Sequence, residues 1–371
     1  MFLLQNSIHT PDTAKRWAFI ETPISPMPTL VIGESPTKAK TISKFLPSSQ
    51  YRIMASLGHI RDLPRKSSEI PAKYKQEAWS NLGVKYENGT FKPLYIIPAD
   101  KRKVVKNLKA VLAKADHLII ATDEDREGEA IGWHLLQVLK PRVPVTRMVF
   151  HEITKAAILK ALEDTRELNQ NMVDAQEARR VLDRLVGYKV SPVLWKKIGK
   201  GTSAGRVQSV ATRLLVEREQ QRMEFVTGTY WGVEASLQAA GGEFTATLTH
   251  LGKHKLATGK DFDAQTGQLC EEAVRAGVIL MGEEDAQRLL KRLPPAIWRV
   301  DQVATKSRKR SPAPPFITSS LQQEGSRKLK WSAKKTMQVA QKLYEKGHIT
   351  YMRTDSVTLS EEALTATRRV I

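Results

Sequence analysis

Two short, unbroken apolar runs constrain this chain most: Thr29-Leu30-Val31-Ile32 and His117-Leu118-Ile119-Ile120. Each is rich in branched aliphatic residues and is followed by acids, the pattern of a strand buried on both faces of a parallel sheet. Helical patterns surround them, at Ser35 to Phe45, Lys101 to Ala115 and Glu129 to Leu139. This βα alternation predicts an α/β fold, a doubly wound parallel sheet with flanking helices that ends near Phe150.

Beyond that point the periodicity changes. Ile153 to Met223 reads as helix, with Val181, Leu182, Leu185 and Val186 expected on one apolar face and Arg179, Arg180, Asp183 and Arg184 on the others. Thr229 to Leu251 alternates in β fashion about Gly241-Gly242, a hairpin signal, and Trp298-Arg299-Val300 is expected to resume that sheet. Lys306 to Pro315 is basic, Pro-rich and reads as a linker. A helix follows from Ile317, another from Ser332 to Lys346 closed by Gly347, a short strand over His348 to Arg353, and a last helix from Ser360. The expected divisions are 1–27, 28–150, 151–225, 226–305, 306–315 and 316–371. Met1 to Pro26 is polar and aperiodic, either a disordered tail or an over-called start with Met27 as the true beginning. It lacks the charge and apolar order of a signal peptide.

Composition narrows the function classes. The chain has 371 residues, enough for two to four domains, with 41% hydrophobic and 26% charged residues, a globular balance. No apolar run approaches the ~18 residues of a membrane span. The single cysteine, Cys270, excludes a disulfide scaffold or a zinc ribbon within this chain and fits a reducing compartment. Fifty-nine Lys and Arg against 39 Asp and Glu leave a net charge of +20, so the favoured partner is a polyanion, nucleic acid before an anionic membrane surface.

Three segments carry candidate chemistry. ATDEDREGEA places Asp123, Asp125, Glu127 and Glu129 directly after the second apolar run, and Glu34 follows the first. If extended, the alternate carboxylates at 123, 125 and 127 face one way. Strand ends of a parallel sheet share one edge, and hard oxygen ligands there suit Mg²⁺; a solvated acidic loop explains the same residues equally well. Lys38 near that edge is either a phosphate contact or an ordinary surface lysine.

In GHITYMRTDS, Tyr351 has Arg353 at i+2 and Asp355 at i+4. A phenol is a weak nucleophile at its usual pKa of about 10, and a nearby Arg favours the phenolate and neutralises charge on a phosphorane-like transition state. By spacing alone such a tyrosine more often serves packing. In SAGRVQS, Ser203, Ala204, Gly205, Arg206, Val207 and Gln208 open a helix where backbone amides and an arginine form a phosphate site. Tyr188 and Trp195 interleave with Lys196 and Lys197, as in a single-strand groove with base stacking. A salt-bridged helix face with Tyr188 and Trp195 in the core fits as well.

Together, LVIGESPTKAKTISKFLP, SLGHIRDLP, ATDEDREGEAIGWHLL, RMVFHEIT, ARRVLDRLVGYKVSPVLWKKI, SAGRVQSVATRLLVERE, PAPPFITSSLQQEGSRKL and KLYEKGHITYMRTDSVTLS resemble the type IA DNA topoisomerases in their bacterial topoisomerase I branch. The resemblance runs from about Thr29 to the last residues. It implies a Toprim domain over 28–150, a helical DNA-binding domain over 151–225, an incomplete β arch over 226–305 and an incomplete tyrosine-bearing domain over 316–371. It implies that Glu34, Asp123 and Asp125 bind Mg²⁺ with Glu127 in support, that Lys38 contacts the scissile phosphate, and that Tyr351 takes the 5′ phosphate beside Arg353. His59, Arg179, Arg180, Asp183, Tyr188, Trp195 and the turn Ser203 to Gln208 fall where the family contacts DNA, and Glu345 near the catalytic pocket. The implied activity is ATP-independent relaxation of negatively supercoiled DNA through a single-strand cut, by a cytoplasmic, nucleoid-associated monomer that uses no nucleotide cofactor and no membrane.

Two departures accompany the likeness. The family continues well past Ile371, so the chain reads as an apparently truncated N-terminal portion, and Gly33 stands where a β-branched residue is usual. The alternatives are a non-catalytic single-strand-binding fragment, a topoisomerase III-type decatenase, or another Toprim protein such as a primase or nuclease.

Overall fold

The computed structural model describes residues 28–371; the expectations for residues 1–27 lie outside the described residues. In chain order the first elements are β1 (Thr29–Gly33), α1 (Pro36–Ile42), β2 (Tyr51–Ala55), the hairpin β3 (Val84–Glu87) and β4 (Thr90–Pro93), α2 (Arg102–Leu112), β5 (Leu118–Ile120), α3 (Arg126–Leu139), β6 (Val145–Arg147) and α4 (Lys155–Glu163). They are followed by α5 (Gln170–Lys197), α6 (Arg206–Glu224), β7 (Glu234–Ala239), β8 (Gly242–Thr247), β9 (His250–Leu251), β10 (His254–Lys255), α7 (Glu271–Arg275) and α8 (Glu283–Arg292). The last are α9 (Thr318–Leu329), α10 (Ala333–Glu345) and α11 (Glu361–Val370).

Four parallel strands form one sheet in the order β2-β1-β5-β6. The period of two along β1 divides its side chains between two cores. Leu30 and Ile32 join Leu118, Ile120, Leu108 of α2 and Leu135 of α3 on one face. Val31 and Ile119 join Ile42, Met148, Phe150, Ile158 and, from the far end of the chain, Tyr344 and Tyr351 on the other. Burying each of these aliphatic side chains stabilises by roughly 1.5–3 kcal/mol. The tyrosine segment is therefore part of the sheet's own core. The second strand, Tyr51–Ala55, half-exposed and edge-lying, has too little apolar pattern to be foreseen.

Two compact units result. One comprises residues through Leu185 together with Ala313–Ile371; the other is Val186–Pro312. The helical division expected over 151–225 is shared between them, because the long α5 crosses the boundary. The second unit has its own small core of Val233, Leu256, Met281 and Ala286. Its β7–β8 hairpin turns at Gly242, whose φ is +125°, as the Gly241-Gly242 signal implied.

Some expectations are corrected. Trp298-Arg299-Val300 forms no strand; these residues are exposed and pair with nothing in the β7–β8 sheet. His348 to Arg353 is not a strand either, because its backbone partners come from separate segments rather than a ladder. On α5, Leu182 is exposed while Arg184 is buried and donates to the Pro64 carbonyl at 2.8 Å, so the buried face is rotated toward Val181, Arg184 and Leu185.

Candidate active site

The loop after β5 carries the acids, and only its first part is extended. Asp125 ends the extension as the N-cap of α3, its Oδ1 accepting from the Gly128 amide at 2.9 Å. Gly128 is required here, since a Cβ would lie 2.0 Å from the Asp123 carbonyl oxygen. The alternation therefore holds for Asp123 and Asp125 but not for Glu127, which reaches the same pocket from the first helical turn. Glu34, at the end of β1, completes the set. Glu34, Asp123, Asp125, Glu127, Gln341 and Arg353 all line one cavity of about 420 Å³.

Crowding the acids has an electrostatic consequence. Burial first, then the Asp123 carboxyl against it, pushes Glu34 up to about 9, so it holds a proton at neutral pH. Burial also works against ionised Asp123, but hydrogen bonds from Glu34 and Lys38 outweigh it and hold that carboxyl below its ordinary value. Lys38 is fully buried, with Nζ 2.7 Å from Asp123 Oδ1 and 4.8 Å from the Phe150 ring centroid. It stands behind Asp123 and is not on the cavity wall.

Tyr351 reaches the same acids from the other end of the chain. Its amide donates to the His151 carbonyl at 2.8 Å and its hydroxyl to Asp125 Oδ2 at 2.5 Å. Thr318, at the start of α9, clamps the next residues: its amide donates to the Thr354 carbonyl at 3.0 Å and its hydroxyl to the Met352 carbonyl at 2.9 Å. Upstream, Gly347 has φ +80° and passes so near Ile153 that a Cβ would lie 2.4 Å from that carbonyl oxygen. Arg353 Nη1 lies 3.7 Å from Asp125 Oδ2 and 3.5 Å from Glu127 Oε2. Arg353 favours the phenolate as expected, but in this arrangement it is outweighed. Burial, the bond to Asp125 and the nearby carboxylates push the Tyr351 phenol well above its ordinary value, and the arginine only partly offsets them.

Two participants, Arg147 and Tyr344, carried no sequence signal as site residues. Arg147, at the end of β6, is fully buried and donates to the carbonyls of Ile120, Thr122, Met148 and Asp123, fixing the backbone from which the acids project. Glu129, buried with no exposure, pairs with it at 3.3 Å and also with Arg166. Tyr344 packs edge-on to Tyr351 with ring centroids 5.2 Å apart, and its hydroxyl is buried beside the Asp123 carboxylate. Its place on the apolar stripe of α10 marks it only as core. Glu345 does not line the cavity; its carbonyl accepts from Thr41 at 2.7 Å and its carboxylate from Gln341, the residue that does.

The expected DNA contacts separate. His59 Nε2 stands 3.7 Å from Glu127 at the rim, and Arg180 is engaged by Asp62 at 2.6 Å, while Arg179 is exposed. Asp183 is half-buried. Tyr188, Trp195 and Ser203 to Gln208 belong to the second unit. There Trp195 Nε1 donates to the Thr202 carbonyl at 2.6 Å, Gln208 to Ser203, and the Gly205 amide to Ser209 Oγ at 3.2 Å, so part of the turn is already satisfied internally. Ala204 is buried, its amide bonded to Ser191 Oγ, and Val207 is exposed. Arg206 is half-buried.

Among the described residues no three His, Cys, Asp or Glu side chains form a ready-made cation cage. Mg²⁺ needs only one or two carboxylates and keeps several waters, and the donors here are hard oxygens around an open cavity, so the residues fit a water-rich Mg²⁺ site. No helix among the described residues is long and apolar enough to cross a membrane.

Comparison with known proteins agrees with this geometry. A family model described as DNA topoisomerase matches residues 167–371, and one described as Toprim domain matches residues 29–153. DNA topoisomerase 1 of Synechococcus elongatus is 57% identical over 347 residues, which are 93% of this chain and 38% of that protein. DNA topoisomerase 1 of Mycobacterium tuberculosis is 53% identical over 348 residues, 91% of this chain and 36% of that protein. The solved structure of full-length topoisomerase I from Thermotoga maritima matches with a TM-score of 0.68 at 36% identity, over 92% of this chain and 52% of that one. The chain thus spans little more than a third of the length of these curated relatives. With the Toprim sheet, its acidic strand ends and the topoisomerase match following one another in a single chain, this protein belongs to the type IA DNA topoisomerases, in the topoisomerase I branch.

Proposed function

We propose that this chain carries the cutting and rejoining chemistry of an ATP-independent DNA topoisomerase that relaxes negatively supercoiled DNA through a 5′-phosphotyrosyl intermediate. The observation that supports this reading is the Tyr351 hydroxyl bonded to Asp125 at the rim of the acidic cavity. When the phenol oxygen attacks phosphorus, a tyrosyl O–P bond forms and the P–O3′ bond breaks. The phenol proton passes to Asp125 Oδ2, and Glu34, protonated at neutral pH while the site holds no metal, supplies a proton to the departing 3′ oxygen. Religation is the reverse. One phosphoester is exchanged for another of similar energy, so no nucleotide is consumed.

Tyr351 is only 5% exposed and Arg353 is held by acids, so a bound phosphate must replace the carboxylates as partner of Arg353 while the phenol keeps its bond to Asp125. Glu34, Asp123, Asp125 and Glu127 would hold Mg²⁺, which supplies positive charge for positioning the cleaved 3′ end. The net charge of +20 gives sequence-independent affinity with steep salt dependence. His59, Arg179, Arg180 and Asp183 are proposed DNA contacts of the first unit, and Tyr188, Trp195 and Ser203 to Gln208 are proposed DNA contacts of the second. We place the activity in the cytoplasm, on nucleoid DNA, with a monomer as the working unit.

The test is incubation with negatively supercoiled plasmid and Mg²⁺ without ATP. A ladder of relaxed topoisomers supports the proposal. Nicked, protein-linked DNA without a ladder indicates cleavage without strand passage, and unlinking of catenated circles without relaxation indicates a decatenase. Binding without any of these supports the single-strand-binding module.

A further inference from the structure

A buried polar cluster on α3, two helical turns beyond Glu127, takes no part in the chemistry above. His134 is 2% exposed, and Arg61 Nε donates to its Nδ1 at 3.0 Å. An arginine can only donate, so Nδ1 is the acceptor, the ring proton sits on Nε2 and His134 is neutral. Burial first, then the Arg61 charge, pushes His134 down to about 3, in keeping with that assignment. The Arg61 guanidinium lies between two rings, 5.1 Å from the Tyr95 centroid and 4.9 Å from that of Trp133. Among the described residues no carboxylate pairs with it, and its Nη2 is buried without a hydrogen-bond partner. Burial opposes the charge and draws the guanidinium below its ordinary value. Apolar side chains would fill the same space without that penalty. The arginine is therefore kept for its directed bond to His134.

The bond fixes a ring that backs His59. The His134 and His59 rings meet edge-on with centroids 5.7 Å apart, and the Tyr95 ring closes another side of His134 at 4.6 Å. Tyr95 is itself tied down, its hydroxyl donating to Glu177 of α5 at 3.2 Å. His59 Nε2 in turn faces Glu127 of the acidic cavity at 3.7 Å. We propose that Arg61 and His134 are positioning residues for His59, fixing its ring at the cavity rim so that Nε2 is presented to the bound strand. The inference rests on the reading of His59 as a DNA contact and deepens it. A side chain that must be ordered on binding loses rotational freedom, and a backing ring held in one orientation removes that loss beforehand. Arginine suits the task because its planar guanidinium lies between two rings while Nε reaches the imidazole, which the point charge of a lysine cannot do.

The test is a double-mutant cycle on the 371-residue chain, read as the affinity for a single-stranded oligonucleotide in fluorescence anisotropy. His134→Leu removes the acceptor and should weaken binding by about tenfold, as should His59→Ala alone. The double variant should bind within about twofold of His59→Ala, since a residue that acts through His59 has nothing left to act on. His134→Gln, whose side-chain oxygen can accept from Arg61, should recover most of the affinity. Arg61→Met runs through the same cycle as a second variant, and the melting temperature of each serves as the control for folding. In the chain carrying histidine labelled with nitrogen-15, His134 should show the Nε2–H tautomer, and Arg61→Met should erase that preference, which packing alone does not set. Losses that add in the double variant, no recovery in His134→Gln, or a His134 proton on Nδ1 in the wild-type chain would overturn the inference and leave His59 as a contact. Unchanged binding in His59→Ala would overturn the contact reading and the inference with it.

Discussion

The Tyr351 hydroxyl donates to Asp125 Oδ2 at 2.5 Å, across 226 positions of sequence. That bond explains how one side chain can be both buried core and a proposed nucleophile. Its ring belongs to the hydrophobic cluster beneath Val31 and Ile119, while its oxygen stops at the rim of the acidic cavity.

Asp125 carries two jobs that substitution separates. Asparagine keeps the cap on the Gly128 amide, because its side-chain oxygen accepts as well as a carboxylate does. It removes the proton acceptor for the phenol. Asp125→Asn should leave the melting temperature within a few degrees and reduce covalent adduct formation by about 10²–10⁴-fold, read by denaturing gel.

Glu34 supplies a pH signature. Its folded value is raised above the unfolded one, so the native chain holds a proton that the unfolded chain has lost once the pH exceeds about 4.5. Its stabilising effect is therefore fully present at low pH and fades as pH rises toward about 9. A divalent cation displaces that proton. Titrating Mg²⁺ into the chain at pH 7.5 should release close to one proton per site, measured by calorimetry in buffers of different ionisation enthalpy, and Glu34→Gln should abolish the release.

Arg147 is a structural demand rather than a chemical one. Arg147→Ala removes a buried guanidinium that satisfies four carbonyls and leaves Glu129 with Arg166 as its one cationic partner. Breaking a buried pair of this kind costs about 3–5 kcal/mol. Urea denaturation should show that loss, and Arg147→Lys should recover only a minor part of it, because one ammonium cannot reach all four oxygens.

Gly347→Ala combines a strained φ with a collision against the Ile153 carbonyl. The expected cost is roughly 1–3 kcal/mol. Its effect should concentrate on the Tyr351 segment, seen as faster amide hydrogen exchange over 347–354 than over β1 and β5.

How much of this was legible in the sequence follows from the range of the interactions. Glu34 and Asp123 could be placed at one sheet edge because Leu30 to Ile32 and Leu118 to Ile120 are local, unbroken apolar runs. Ser332, Ser360 and Gly347 announced the ends of α10 and α11 because capping is settled within a few residues. Tyr351 was marked by a resemblance; its spacing to Arg353 alone pointed no further than packing. His348 to Arg353 looked like a strand, but His151 and Thr318 supply its backbone partners from 200 and 36 or fewer positions away respectively, which no periodicity encodes. Arg147 was hidden for the same reason, since its value lies in carbonyls brought together only by folding.

The central claim is that one phosphate can meet both the Tyr351 phenol and the carboxylates of two strand ends. The most direct measurement is a denaturing gel of 5′- and 3′-labelled single-stranded oligonucleotide after incubation with the chain, with and without Mg²⁺. The account predicts a protein-linked band that retains the 3′ label only, lost in Tyr351→Phe and strongly reduced in Asp125→Asn. A linked band that retains the 5′ label, or one that persists in Tyr351→Phe, would contradict it.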